Sequence, residues 1–163
     1  MPDAARLGPG GLLESRYELL RELGEGAFAR VFLARHTALG SLHAVKVLAE
    51  GYAAQTEFRL RFLAEGRIQA QIRHPHLVPV TDIVSEPPAL VMDYVDGVPL
   101  DAWMEGLGRL PAHDEVLAIV VPVLDALEAV HLAGVVHRDL KPSNILIGRD
   151  ADRKSTRLNS SHL

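Results

Sequence analysis

Residues 136–146 read Val136-His137-Arg138-Asp139-Leu140-Lys141-Pro142-Ser143-Asn144-Ile145-Leu146. Three kinds of side chain stand close together here: a carboxylate (Asp139), an ammonium (Lys141) and an amide oxygen (Asn144). Moving a phosphoryl group onto a hydroxyl needs an acceptor for the hydroxyl proton, positive charge near the transferred group and an oxygen ligand for magnesium. The segment supplies one of each.

Upstream of this loop, His113 to Ala133 carries Leu117, Val120, Leu124 and Leu127 on one side and is followed by Gly134, which predicts a long helix with a glycine C-cap. Pro122 inside it predicts a kink, because proline removes a backbone donor. A shorter helix is expected over Leu100 to Leu107. The pattern before Gly97 is different. Short apolar runs at Tyr17 to Leu20, Val31 to Ala34, Leu42 to Leu48, Leu77 to Val84 and Ala89 to Val95 predict five antiparallel strands. Glu57 to Ile72, with Phe58, Phe62, Ile68 and Ile72 at helical spacing, predicts one amphipathic helix that ends before His74-Pro75.

Two features of this first half carry chemistry. Leu23-Gly24-Glu25-Gly26-Ala27-Phe28-Ala29-Arg30-Val31 is a glycine-bearing hairpin whose backbone amides can approach phosphate oxygens, although such a hairpin alone is more often an ordinary turn. It returns into a strand, whereas a dinucleotide-binding fingerprint turns into a helix. Lys46 shares a strand face with Ala44, and such a lysine either snorkels at an edge or meets an anion. Glu65 lies three residues after Phe62 and three before Ile68, so it is expected on the apolar face of the helix, where it needs a cation. The economical expectation is a Lys46–Glu65 pair.

From about Tyr17 to Ile147 the order of these motifs resembles a bacterial protein kinase of the eukaryotic, serine/threonine type. The fold this implies is α+β and two-lobed. Residues 17–96 would form an N-lobe of five strands and one helix, preceded by a flexible extension over 1–16, and 97–150 the start of a helical C-lobe. By the same resemblance Leu23, Gly24 and Gly26 belong to the ATP-binding loop, and Val31, Ala44 and Leu146 enclose the adenine. Met92 matches the gatekeeper, and Asp93, Tyr94 and Val95 the hinge. Lys46 would hold the α- and β-phosphates with Glu65 as its partner. Asp139 matches the catalytic base, Lys141 the γ-phosphate contact and Asn144 a magnesium ligand. The implied cofactors are ATP and Mg2+, and the implied partner is a protein offering Ser or Thr. Lys141 resembles serine/threonine rather than tyrosine kinases, and Arg138 beside Asp139 resembles kinases switched by activation-loop phosphorylation.

Departures from that pattern are Ala29 at the third glycine, Gly66 inside the helix, Gln69 where an apolar residue is usual, and the lack of Asp-Phe-Gly after Asn144. The segment 151–163 loses apolar periodicity, and from Asp152 to His162 it resembles an in-frame translation of a sequencing-library adapter. It is expected to be a non-native tail on a gene truncated near Asp150, leaving an inactive fragment. A nucleotide-binding pseudokinase is disfavoured by the presence of Lys46, Asp139 and Asn144. A small-molecule phosphotransferase of similar fold is disfavoured by Arg138 and Lys141.

Composition bounds the rest. Seventeen basic against twenty-one acidic residues give a net charge of -4, which offers nucleic acid no electrostatic footprint. The absence of cysteine removes disulfides and thiolate chemistry, and with no apolar run long enough for a membrane anchor in this stretch the expected compartment is the cytoplasm. His74 and His76 lack a third ligand for a metal.

Overall fold

The computed structural model describes residues 7–149 and 156–159. It divides into two compact units, one of residues 1–70 and 80–94 and the other of residues 71–79 and 95–163.

The first unit is a six-stranded antiparallel sheet with helices. Its strands are β1 (Leu12–Leu13), β2 (Tyr17–Glu25), β3 (Ala29–His36), β4 (Leu42–Leu48), β5 (Val80–Ser85) and β6 (Pro88–Asp93), in the order β1-β2-β3-β4-β6-β5. All five expected strands are present. The sixth, β1, pairs Leu12 with Glu18 and Leu13 with Tyr17, so the ordered sheet begins before the expected boundary at Tyr17. The physical reason is burial: Leu13 is 1% exposed and joins Tyr17, Leu19, Phe32, Val45, Val47 and Val91 in one apolar cluster, against which Leu7 packs. That cluster forms from alternate residues of β2 to β4, which leaves Val31, Leu33, Ala44 and Lys46 to the opposite face. Tyr17 lies under this edge with its hydroxyl donating to Asp82 at 2.9 Å. Burial first, and the Asp82 carboxylate second, push its pKa up to about 12.

Between β4 and β5 come α1 (Glu50–Ala53) and α2 (Thr56–Gln71), two helices where one was expected. The buried positions of α2 are Leu63, Gly66 and Gln69, not the expected Phe58 and Ile68, which are 37% and 45% exposed. Gly66 explains the rotation. A Cβ placed there would stand 2.2 Å from Cδ2 of Leu90, so glycine lets the helix approach β6 this closely and any side chain in its place would force Leu90 to shift. Its cost in helix propensity is offset by close packing.

The second unit holds α3 (Leu100–Leu107), α4 (His113–Leu132) and a small sheet in the order β7-β8-β9, of Gly97–Pro99, Ile145–Gly148 and Thr156–Leu158. Its core joins Ile72, Leu77, Val123, Ala126, Val130, Ile145, Ile147 and Leu158. Gly134 has φ 75° and donates to His131 O, while Val135 donates to Val130 O, so the expected glycine cap is a Schellman motif. Of the four residues expected inward on α4, Leu127 packs on the core but Leu117, Val120 and Leu124 are 46%, 41% and 57% exposed. The helix is apolar almost all round its middle, and that pattern cannot select a face. Leu77 and Val78 leave the strand expected from Leu77: Pro79 has no N–H for a ladder, and Leu77 bridges Leu158 within the second unit instead.

Of the 151–163 segment, residues 151–155 and 160–163 lie outside the described ones. Thr156–Leu158, by contrast, pair with β8, and Leu158 is fully buried. No described helix is long and apolar enough to cross a membrane.

Candidate functional site

The sheet of the first unit assembles its expected site residues by register alone. Lys46 lies opposite Val31 on one side and Leu90 on the other, and Ala44 lies opposite Leu33 and Met92. Directly opposed residues share a face, so Val31, Ala44, Lys46 and Met92 form one apolar surface with a single ammonium in it. Met92 is buried and Asp93 half-buried at the end of β6. The glycine hairpin closes through Gly26 N–H donating to Ala29 O at 2.8 Å, with Gly24 opposite Val31 and Leu23, Gly24 and Gly26 exposed. Arg30 and Glu22 form an ion pair across its stem.

The Lys46–Glu65 pair is the expectation the structure corrects. Glu65 is exposed, and the ion pairs among the described residues do not join it to Lys46. Seated by Gly66 against Leu90, α2 presents Phe62 instead, whose ring centroid stands 6.0 Å from Lys46 Nζ, within cation–π range. Gln69, four residues beyond Glu65, is 2% exposed and its Oε1 accepts no hydrogen bond among the described residues.

The loop of the second unit is built around Asn144. A 3-10 turn over Pro142–Asn144, opened by proline at its first position, buries the Asn144 side chain to 5% exposure. Its Nδ2 donates to the Asp139 carbonyl at 2.7 Å and to Asp139 Oδ2 at 3.1 Å. Lys141 Nζ stands 3.2 Å from the same Oδ2. One amide thus fixes both the backbone and the carboxylate of Asp139, and because its nitrogen is used inward, Oδ1 is left as an oxygen donor suited to a hard cation. Asp139 and Lys141 are 39% and 51% exposed at the side chain, open enough to meet a substrate. Leu146 sits in β8 opposite Pro99, and Val95 is half-buried just before β7.

His137 and the strand β9 are contributions the sequence reading missed. His137 is 7% exposed and its Nε2 lies 2.9 Å from Asn159 O, while Asn159 N–H donates to Asn144 O at 2.8 Å. The backbone after β9 therefore braces both ends of the catalytic-type loop. The one signal was Leu158, a lone apolar residue in a polar stretch. His74 and His76 are structural: His74 Nδ1 accepts from His76 N–H at 3.2 Å, and His76 Nδ1 lies 3.1 Å from Thr156 O.

The family described as "Protein kinase domain" matches residues 17–158. The serine/threonine-protein kinase Pkn1 of Myxococcus xanthus is 41% identical over 135 residues, spanning 82% of this chain and 19% of that protein. Serine/threonine-protein kinase PknI of Mycobacterium tuberculosis is 39% identical over 142 residues, 84% of this chain and 24% of that protein. The crystal structure of the Mycobacterium tuberculosis PknI kinase domain superposes with a TM-score of 0.79 at 32% identity, covering 97% of this chain and 64% of that one. The chain thus spans about a fifth to a quarter of the length of these curated relatives and under two thirds of the solved kinase domain. With the sheet, the catalytic-type loop and these relatives in agreement, the chain belongs to the protein kinase domain family.

Proposed function

We propose that the protein carrying this chain is an ATP- and magnesium-dependent serine/threonine protein kinase of the cytoplasm. The observation that carries the reading is the Asn144-fixed carboxylate of Asp139 with Lys141 beside it. In this reading Asp139 accepts the proton of a Ser or Thr hydroxyl as its oxygen bonds to the γ-phosphorus and the bond from that phosphorus to the β,γ-bridging oxygen breaks. Lys141 balances charge on the transferred group, and Lys46 holds the α- and β-phosphates. Val31, Ala44 and Leu146 line the adenine, with Met92 as gatekeeper and the Asp93–Val95 backbone as hinge, while Leu23, Gly24 and Gly26 cover the phosphates. Magnesium, held in part by Asn144 Oδ1, would supply charge neutralisation. Glu65 becomes the Lys46 partner only if α2 turns from its present seat.

The test is transfer of labelled phosphate from ATP to a Ser/Thr-containing protein by the full-length gene product. Removing the base is expected to lower the rate by about 10²- to 10⁴-fold in Asp139→Asn. Equal rates in parent and variant would overturn the reading. The 163 residues alone are proposed to be inactive, because no Asp-Phe-Gly follows Asn144 to complete the metal coordination. Truncation near Asp150 and an adapter origin for the tail belong to the same proposal. Resequencing the locus should show the frame continuing into Asp-Phe-Gly, and a stop codon directly after Leu163 would contradict it.

A further inference from the structure

The tip of the glycine hairpin carries Phe28, 54% exposed, in a place where a solvated loop would be served by any small polar residue. Its ring does not stand free. It meets Tyr52 of α1 edge-on, with centroids 4.9 Å apart and planes at 69°. Tyr52 in turn meets Phe58, in the first turn of α2, at 5.2 Å and 61°. Three of the chain's eight Phe, Tyr and Trp residues are spent on this row. One helical turn further, Phe62 stands over Lys46. The backbone reinforces the contact, since Ala49 N–H donates to Phe28 O at 2.8 Å and Ala49 O accepts from Tyr52 N–H at 2.9 Å. The half-buried Tyr52 is thus the middle member that ties the loop tip to α2.

We propose that Tyr52 is a positioning residue for nucleotide binding: its ring seats Phe28 and thereby holds the glycine-loop amides ready for a polyphosphate. The proposal rests on the ATP-binding reading above. A hairpin with glycines at 24 and 26 loses much conformational freedom when it orders over a ligand, and a loop already anchored at its tip loses less on binding. The phenol hydroxyl has no part in the mechanism; the ring does the seating.

The experiment titrates the full-length protein and its variants with N-methylanthraniloyl-ATP and magnesium, and measures KM for ATP and kcat beside it. Loss of the aromatic contact predicts that Tyr52→Leu raises Kd and KM by about fivefold with kcat retained. Tyr52→Phe should behave as the parent. Phe28→Leu should show the same loss, and the double variant no more than either single one. Should Tyr52→Leu fail to fold, Phe28→Leu at the exposed tip carries the comparison. If Tyr52→Leu, or Phe28→Leu in its place, binds like the parent while Lys46→Met loses the nucleotide, the anchor is refuted and the ATP reading stands. A Tyr52→Phe variant as weak as Tyr52→Leu also refutes it. If Lys46→Met binds as tightly as the parent, the ATP reading falls and the anchor with it.

Discussion

The two units use similar apolar content in opposite ways. In the first, the sheet face away from Lys46 is sealed, because Leu13 and Leu7 close over Tyr17, Phe32 and Val45. In the second, α4 buries Val123, Ala126 and Val130 and leaves Leu117, Val120, Val121 and Leu124 on its outer side. Leucines of similar sequence context thus have different energetic weight. The contrast teaches that strand alternation selects a face with period two, while a helix apolar all round leaves the choice to its neighbours.

The largest effect should come from the sealed side. Leu13→Ala is expected to cost about 3 kcal/mol, since it empties a fully buried site, while Leu124→Ser should stay within about 0.5 kcal/mol. Chemical denaturation of both variants measures this, and equal losses would break the comparison. Next comes Gly66→Ala. In an ordinary exposed helix alanine would add about 1 kcal/mol, but here the new methyl drives into Leu90, so a net loss of about 1 kcal/mol is expected. A gain in stability would show that α2 is not seated on β6 as described.

The smallest effect is confined to alkaline pH. Tyr17 ionises near 10 in the unfolded chain and at about 12 in the folded one. The raised folded value means that its contribution is complete below pH 10 and is lost as pH rises towards 12, because over that interval the unfolded state sheds its proton first. The difference in stability between the parent and Tyr17→Phe should shrink across that window. A difference that does not change with pH would place Tyr17 outside the sealed edge.

Much of this was legible before the structure. The five strands, the α3 bounds and the glycine at 134 follow from period-two runs and a positive-φ cap. The Asp139, Lys141 and Asn144 set is local in sequence, so its proximity needed only one turn. What was not legible depended on distant atoms. Glu65 was assigned by spacing alone, and that spacing could not register that glycine at 66, packed on Leu90, turns Phe62 rather than Glu65 toward Lys46. Leu12–Leu13 and Thr156–Leu158 are too short to show alternation, and they become strands only because Tyr17 and Ile147 offer ladder partners.

The account's central claim is a division of labour: the sheet of the first unit holds the nucleotide, and the Asp139 loop of the second performs the transfer. The most direct test is the ATP affinity of Asp139→Asn in the full-length protein, titrated with magnesium beside a phosphate-transfer assay on the same preparation. The account predicts an affinity within about twofold of the parent, because a base that acts only in the transition state adds little to ground-state binding, together with a transfer rate lower by about 10²-fold or more. An affinity that falls as far as the rate would contradict it.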